Sequence, residues 1–238
     1  NLGIDSLNEM QETASAAILN DTNILLLSPT GSGKTLAFLL PIFELLDEYV
    51  AGVQCLILVP SRELGIQIEQ VWKKMGTNYK VNVCYGGHSI DIEIKNLSNP
   101  PAVLIGTPGR IADHLDRGTF KVDRIETLIL DEFDKSLEIG FEGEMREIIQ
   151  LLPQVRRKIL TSATQGVSIP NFVGLKSPQV LDYLADKITQ LEVKKVLAPT
   201  KDKLETLGEL LAQLGSKNGI IFCNFKDSIE HQPKSRFS

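Results

Sequence analysis

The stretch "NILLLSPTGSGKTLAFLLPI", residues 23–42, sets a glycine-rich turn between two apolar runs. The first run has the length and composition of a buried strand, and the second those of a helix. Gly31 and Gly33 let the chain curl so that the successive N–H groups of Thr30, Gly31, Ser32 and Gly33 point inward. Lys34 follows, placed to reach the β- and γ-phosphates of a nucleotide, and the Thr35 hydroxyl can ligate Mg²⁺. A strand before the turn and a helix after it are the context a phosphate-binding loop requires. The strict pattern wants Gly at position 28, where this chain has Ser. Pro41 falls inside the helical run and is expected to kink or break it.

Outward from this turn, short apolar runs alternate with helical patterns. The strand candidates are Ile24–Leu27, Cys55–Val59, Val81–Tyr85, Val103–Ile105, Thr127–Leu130, Lys158–Thr161 and Gln179–Leu181. Between them lie amphipathic stretches such as "RELGIQIEQVWKKM" (62–75) and "EGEMREIIQLL" (142–152). The second puts Met145, Ile148, Ile149 and Leu152 on one face. Strands that read as continuous apolar runs are covered on both faces. The expected fold is therefore α/β, a mostly parallel sheet with helices on both faces.

The run "TLILDEFD" (127–134) passes from four apolar positions into adjacent acids. A strand ending there places Asp131 at the sheet's C-terminal edge, level with the glycine turn, where it can hold Mg²⁺, partly through water. Glu132 beside it can orient or deprotonate an attacking water. Four more polar or Gly-rich segments follow strand candidates: "PSRELGIQ" (60–67), "YGG" (85–87), "TPGR" (107–110) and "TSAT" (161–164). In a doubly wound sheet that edge is where ligands bind.

Composition sets the bounds. At 238 residues, 42% hydrophobic and 23% charged, the chain has enough apolar side chain for a full core. The net charge of −5 gives no global basic field, so nucleic acid would need a local patch. No apolar run approaches the ~20 residues that span a bilayer, and no charged n-region followed by an apolar h-region opens the sequence. Cys55, Cys84 and Cys223 are widely spaced without a CxxC pair, which predicts buried thiols in a cytoplasmic protein. His88, His114 and His231 are scattered and read as surface or loop residues.

A second α/β unit is expected to begin after residue 183. "ITQLEVKKVLA" reads as a strand, "TKDKLETLGELLAQLG" as a helix with Thr200 as N-cap and Gly215 as C-cap, and "GIIFCNF" as a buried strand. Residues 1–183 then form a first domain and 184–238 a linker with the start of a second, with too few residues to close a core.

The order Gln11, SPTGSGKT, PSREL, GG, TPGR, DEFD, SAT and "IIFCNF" resembles that of the DEAD-box RNA helicases over about residues 3–225. The family's forms are AxTGxGKT, PTREL, GG, TPGR, DEAD and SAT. The resemblance implies a RecA-like fold that binds ATP·Mg²⁺ and couples its hydrolysis to RNA clamping and local duplex separation. It implies that Gln11 and Ile4 meet the adenine, and that Ser61, Arg62, Gly86, Gly87, Thr107 and Arg110 line a groove for the RNA backbone, largely independent of sequence. It also implies that Asp134, Ser162 and Thr164 link the DEFD segment to RNA binding. Here Phe133 stands where the family has a small Ala, and the stretch before Gln11 lacks the usual aromatic and Pro-Thr. The alternative is an ATP-switched RNA clamp or scaffold with little turnover, for which Phe133 is the best support. Family members complete the active site with a second lobe carrying an arginine finger. This chain alone is accordingly expected to unwind nothing, and to associate with another copy, if at all, through the incomplete second lobe. In the ending "DSIEHQPKSRFS" a helix is expected to start near Lys226, and Pro233 cannot continue it.

Overall fold

The computed structural model describes residues 6–166, 168–185, 194–199, 203–215 and 219–222. The chain divides into two compact units, Asn1–Lys187 and Ile188–Ser238.

Among the described residues the first unit holds seven strands: β1 Asn23–Leu27, β2 Cys55–Leu58, β3 Val81–Cys84, β4 Val103–Gly106, β5 Thr127–Leu130, β6 Arg157–Ser162 and β7 Gln179–Asp182. They form one sheet in the order β3-β4-β2-β5-β6-β1-β7, with every pairing parallel. Among the described residues seven α-helices and a 3-10 helix at Asn171–Val173 accompany it: α1 Glu9–Asn20, α2 Lys34–Leu45, α3 Arg62–Met75, α4 Ile90–Leu97, α5 Pro108–Asp116, α6 Phe133–Ile139 and α7 Glu142–Gln150. Each strand expected from sequence in this unit is present, within a residue or two at its ends.

Two apolar layers cover the sheet. Side chains alternate across a strand, so Cys55 and Ile57 of β2 join one layer while Leu56 and Leu58 join the other. The first layer is completed by Ala14 and Ile18 of α1, Phe38 and Ile42 of α2, and Ile68 and Trp72 of α3. The second is completed by Leu97 of α4, Ile111 of α5, Phe133 of α6, and Met145 and Ile148 of α7. Both faces of the central strands are therefore apolar, which is why these strands read as unbroken runs.

α2 runs uninterrupted through Pro41, so the break expected there does not occur. Pro41 is itself buried. That packing offsets the N–H the ring cannot donate to the preceding turn.

His114 corrects another expectation. It is fully buried in α5, with Nδ1 on the Thr119 hydroxyl at 2.9 Å and Nε2 on Glu93 Oε2 at 2.8 Å. A histidine on the inward face of an amphipathic helix is buried when both ring nitrogens find partners. Cys55 and Cys84 are buried free thiols, and Cys223 lies outside the described residues.

In the second unit, α8 spans Leu204–Leu214 and ends at Gly215, whose φ is +66°. The expected N-cap, Thr200, lies outside the described residues, as does His231. Of the two expected strands, residues 194–198 and 219–222 are described and belong to no strand, while residues 188–193 and 223–225 lie outside the described residues. Ile220, Ile221 and Phe222 are exposed. An apolar run becomes a buried strand by joining a sheet, and no described strand pairs with these residues.

Candidate functional site

Parallel pairing brings the strand ends to one edge. Leu27 of β1 pairs with Ser162 of β6, and the Ser28 N–H continues the ladder onto Ser162 O at 3.0 Å. The Asp131 N–H reaches Leu58 O at 2.9 Å, and the Val59 N–H reaches Gly106 O at 3.0 Å. The segments SPTGSGKT, DEFD, TSAT, PSREL and TPGR thus leave the sheet side by side.

The glycine turn opens α2. Gly31 and Gly33 have φ of +82° and +92°, in the left-handed region that favours glycine. A Cβ on Gly33 would also run into Gln11 Nε2. The Lys34 ammonium donates to Ser28 O at 2.7 Å and Pro29 O at 2.9 Å. Burial lowers its pKa, and the carboxylates of Asp131, Glu132 and Asp134 act against that. Ser28, where the family has Ala, donates its hydroxyl to Ser32 Oγ at 2.7 Å across the turn.

Gln11 braces this turn. Its N–H and side-chain oxygen form a reciprocal cap with Asn8 at 2.9 and 3.0 Å. Its Nε2 donates to Gly33 O at 3.3 Å, and Asn8 Nδ2 donates to Ser32 O at 3.2 Å. The part played by Asn8 is not among the roles expected from sequence, although Asn three residues before Gln at a helix start is a capping-box signal. Ile4 lies outside the described residues.

Asp131 is buried directly beyond β5, and its Oδ1 accepts the Thr161 hydroxyl at 2.5 Å. Burial pushes its pKa up to about 6, against the lowering effect of the Thr161 bond. The same Thr161 oxygen accepts the Glu132 N–H at 3.0 Å. Glu132 sits at φ +46°, a left-handed backbone uncommon for a non-glycine residue. Such strain concentrates at functional positions. Thr30, Gly31, Gly33, Lys34, Thr35, Gln11, Asp131 and Glu132 all line one cleft of about 310 Å³.

Thr164 donates its hydroxyl to Asp134 Oδ2 at 2.7 Å. Ser162 does not reach the DEFD segment; its hydroxyl is bonded to Thr164, accepting from the N–H at 3.0 Å and donating to the carbonyl at 3.1 Å. Thr161 makes the contact expected of Ser162. Side chains alternate along β6, so Thr161 and Ser162 face opposite ways. Phe133 is 1% exposed and packs in the second apolar layer. The ring that replaces Ala is thus directed into the core, while its acidic neighbours line the edge.

The remaining segments lie further along the edge. Ser61 caps α3, accepting the Leu64 N–H at 3.2 Å. The exposed Arg62 guanidinium lies 5.3 Å from the Tyr85 ring centre. Gly86 and Gly87 are exposed, and Thr107 precedes α5 as its N-cap. A hollow of about 520 Å³ is lined by Gly86, Thr107, Gly109 and Arg110 among others. Arg110, expected to line an RNA groove, turns its guanidinium toward α4 and the Gly86–His88 turn. Its side chain is 12% exposed, with Nη1 3.4 Å from Glu93 Oε2 and Nη2 donating to His88 O at 2.9 Å. A Cβ on Gly106 would sit 2.8 Å from Cys84 O, so the residue before TPGR must be glycine for β3 and β4 to pair this closely.

Glu93 is a functional candidate that the motifs do not reveal. The signal is an acid at the centre of an apolar helical stripe, with Ile90, Ile94 and Leu97 around it. Cys84, Glu93 and His114 bring three potential metal-ligating atoms within 4.8 Å of one another. The Arg110 cation already faces that carboxylate, and burial holds the Cys84 thiol protonated, pushed up to about 12. Both favour a hydrogen-bonded cluster over a cation site.

The DEAD/DEAH box helicase family model matches residues 8–171. This chain belongs to that family. The ATP-dependent RNA helicase CshA of Listeria monocytogenes is 34% identical over 236 residues, which is 96% of this chain and 45% of that protein. The DEAD-box ATP-dependent RNA helicase 12 of Arabidopsis thaliana is 35% identical over 234 residues, 96% of this chain and 47% of that protein. A crystal structure of a hypothetical ATP-dependent RNA helicase from Sulfolobus tokodaii superimposes with a TM-score of 0.66 at 28% identity. It covers 76% of this chain and 54% of that one. This DEAD/DEAH box chain thus spans about half the length of the curated relatives it matches, and its parallel sheet is that of a RecA-like helicase core. No described helix is long and apolar enough to cross a membrane.

Proposed function

We propose that the chain is the nucleotide-binding part of a cytoplasmic ATP-dependent RNA helicase that couples ATP binding and hydrolysis to RNA clamping and local strand separation. The observation that carries this reading is the pairing of two hydroxyls at the end of β6 and just beyond it with the DEFD segment: Thr161 on Asp131 and Thr164 on Asp134. Through these bonds a change at the nucleotide cleft is felt by the loop beyond β6.

On ATP binding, Lys34 leaves the carbonyls of Ser28 and Pro29 for the β- and γ-phosphates, and the N–H groups of Thr30 to Gly33 close round them. Gln11 braces the turn and faces the adenine side of the cleft. Thr35 and the buried Asp131 would hold a magnesium ion, because both line the cleft and offer it oxygen donors. The ion, when bound, supplies charge neutralisation at the phosphates. Glu132, turned by its left-handed backbone, takes the proton of the attacking water. RNA follows the outer edge, meeting Ser61, Arg62, Gly86, Gly87 and Thr107 through its sugar-phosphate backbone.

Two expected results test the parts. Asp131 binds Mg²⁺ as a carboxylate, so Mg²⁺·ATP affinity should decline as pH falls through about 6. The Thr161 hydroxyl stabilises the charged form, and removing it raises the Asp131 pKa further. In Thr161→Val the decline should therefore begin at higher pH than in wild type, read by calorimetry across pH; superimposable profiles would remove Asp131 from the metal. On the RNA side, Arg62→Ala should weaken single strands of any sequence about equally. It should flatten the salt dependence by ~0.7 in log–log slope for one lost phosphate contact. A sequence-dependent loss would count against a backbone groove.

A further inference from the structure

The YGG turn is held at both ends by one ion pair, in which Glu93 is buried and Arg110 half-buried. At its start, the Tyr85 N–H donates to Glu93 Oε1 at 3.2 Å. At its end, His88 O accepts Arg110 Nη2 at 2.9 Å. Glu93 and Arg110 then face one another, with Oε2 3.4 Å from Nη1. His114 holds Glu93 from behind, its Nε2 2.8 Å from Oε2, and is itself fixed by Thr119. The His88 ring adds a longer contact, Nδ1 to Oε1 at 3.5 Å. Gly86 and Gly87, the two residues inside the clamp, are exposed, and Gly87 has φ +84°. Glu93 lies on α4 and Arg110 on α5, so the pair also fixes the turn relative to Thr107 at the start of α5.

We propose that Glu93 is a positioning residue for nucleic-acid binding: with Arg110 it clamps the Tyr85–His88 turn so that the Gly86–Gly87 backbone meets the RNA strand, without touching RNA itself. The inference rests on the reading of this edge as an RNA groove. An exposed turn rich in glycine has many conformations in solution, and ordering it on binding costs entropy. A clamp that orders it beforehand removes that cost. The carboxylate is 2% exposed, and burying one without matched donors would be unfavourable. Here the donors that match it are those that fix the turn and Arg110. The two arginines then differ in role: Arg62 neutralises a phosphate, whereas Arg110 acts through the turn.

The test is binding of a fluorescently labelled single-stranded oligouridylate to the full-length protein over a salt series, with melting temperature and ATP affinity read in parallel. Glu93→Gln keeps the shape and removes the charge. It should weaken the strand by about tenfold or more, as loss of a buried hydrogen-bonded charge does, with the salt slope unchanged. Arg110→Ala should do the same, and the double variant should bind about as well as either single one, because the two act as one unit. Arg62→Ala should flatten the slope. Wild-type affinity in Glu93→Gln, a double loss equal to the product of the singles, or ATP affinity falling in step with RNA would each overturn the inference. If Arg62→Ala responds as expected while Glu93→Gln does not, this inference alone fails. If the wild-type protein does not bind the strand, both it and the RNA reading fail. Should Glu93→Gln not fold, Glu93→Asp carries the same test: it draws the carboxylate back by one methylene, and the strand should again weaken at constant slope.

Discussion

Glu132→Gln in the full-length protein is expected to keep ATP bound and to lower its turnover by roughly 10²–10⁴-fold, the contribution typical of a positioned general base. The substitution preserves size and the backbone N–H that donates to Thr161 Oγ1 at 3.0 Å. It removes the charge that would accept a proton from water. The left-handed backbone at φ +46° is retained, since Gln and Glu differ little in that region. A loss of turnover with ATP affinity intact therefore isolates the chemical step. Single-turnover phosphate release and equilibrium ATP binding, measured on the same preparation, separate the two. Wild-type turnover in Glu132→Gln would remove Glu132 from the base role.

Lys34→Ala is expected to act earlier, on binding. Its ammonium sits where burial disfavours charge and three carboxylates favour it. Its partners at present are the carbonyls of Ser28 and Pro29. Exchanging those for phosphate oxygens gives a charge-assisted contact worth ~1.5–3 kcal/mol, so its loss should weaken Mg²⁺·ATP roughly 10- to 150-fold. Calorimetry reads this directly. Unchanged affinity would sink the assignment of the glycine turn to phosphate. Removing Lys34 also takes a cation away from Asp131, whose carboxyl should then titrate still higher.

The seven strands are legible in the sequence because a parallel strand covered on both faces is a short unbroken apolar run, and Cys55–Leu58 or Thr127–Leu130 can be little else. The motif edge is legible for a related reason. Where every strand is parallel, every polar segment that follows a strand falls on the same side. The order of the strands is not, since it depends on which helix crosses which face. Nor is the inward turn of Arg110, because its partner Glu93 stands 17 positions away by sequence number. Thr161 rather than Ser162 bonds to the DEFD segment because a one-residue step along a strand reverses the face. Phe133 looks like a threat to the site in the sequence, but the first turn of α6 sends its ring to the core and leaves Asp134 on Thr164. His114 reads as a surface residue because its two partners, Thr119 and Glu93, lie in different segments.

The measurement that bears most directly on an RNA-coupled ATPase is steady-state phosphate release by the full-length protein, with single-stranded RNA and with DNA of the same sequence. Release should be slow without nucleic acid, rise markedly with RNA, and rise little or not at all with DNA. The rise should also disappear in Glu132→Gln. Equal stimulation by DNA, or release that ignores nucleic acid altogether, would contradict coupling to RNA at this site.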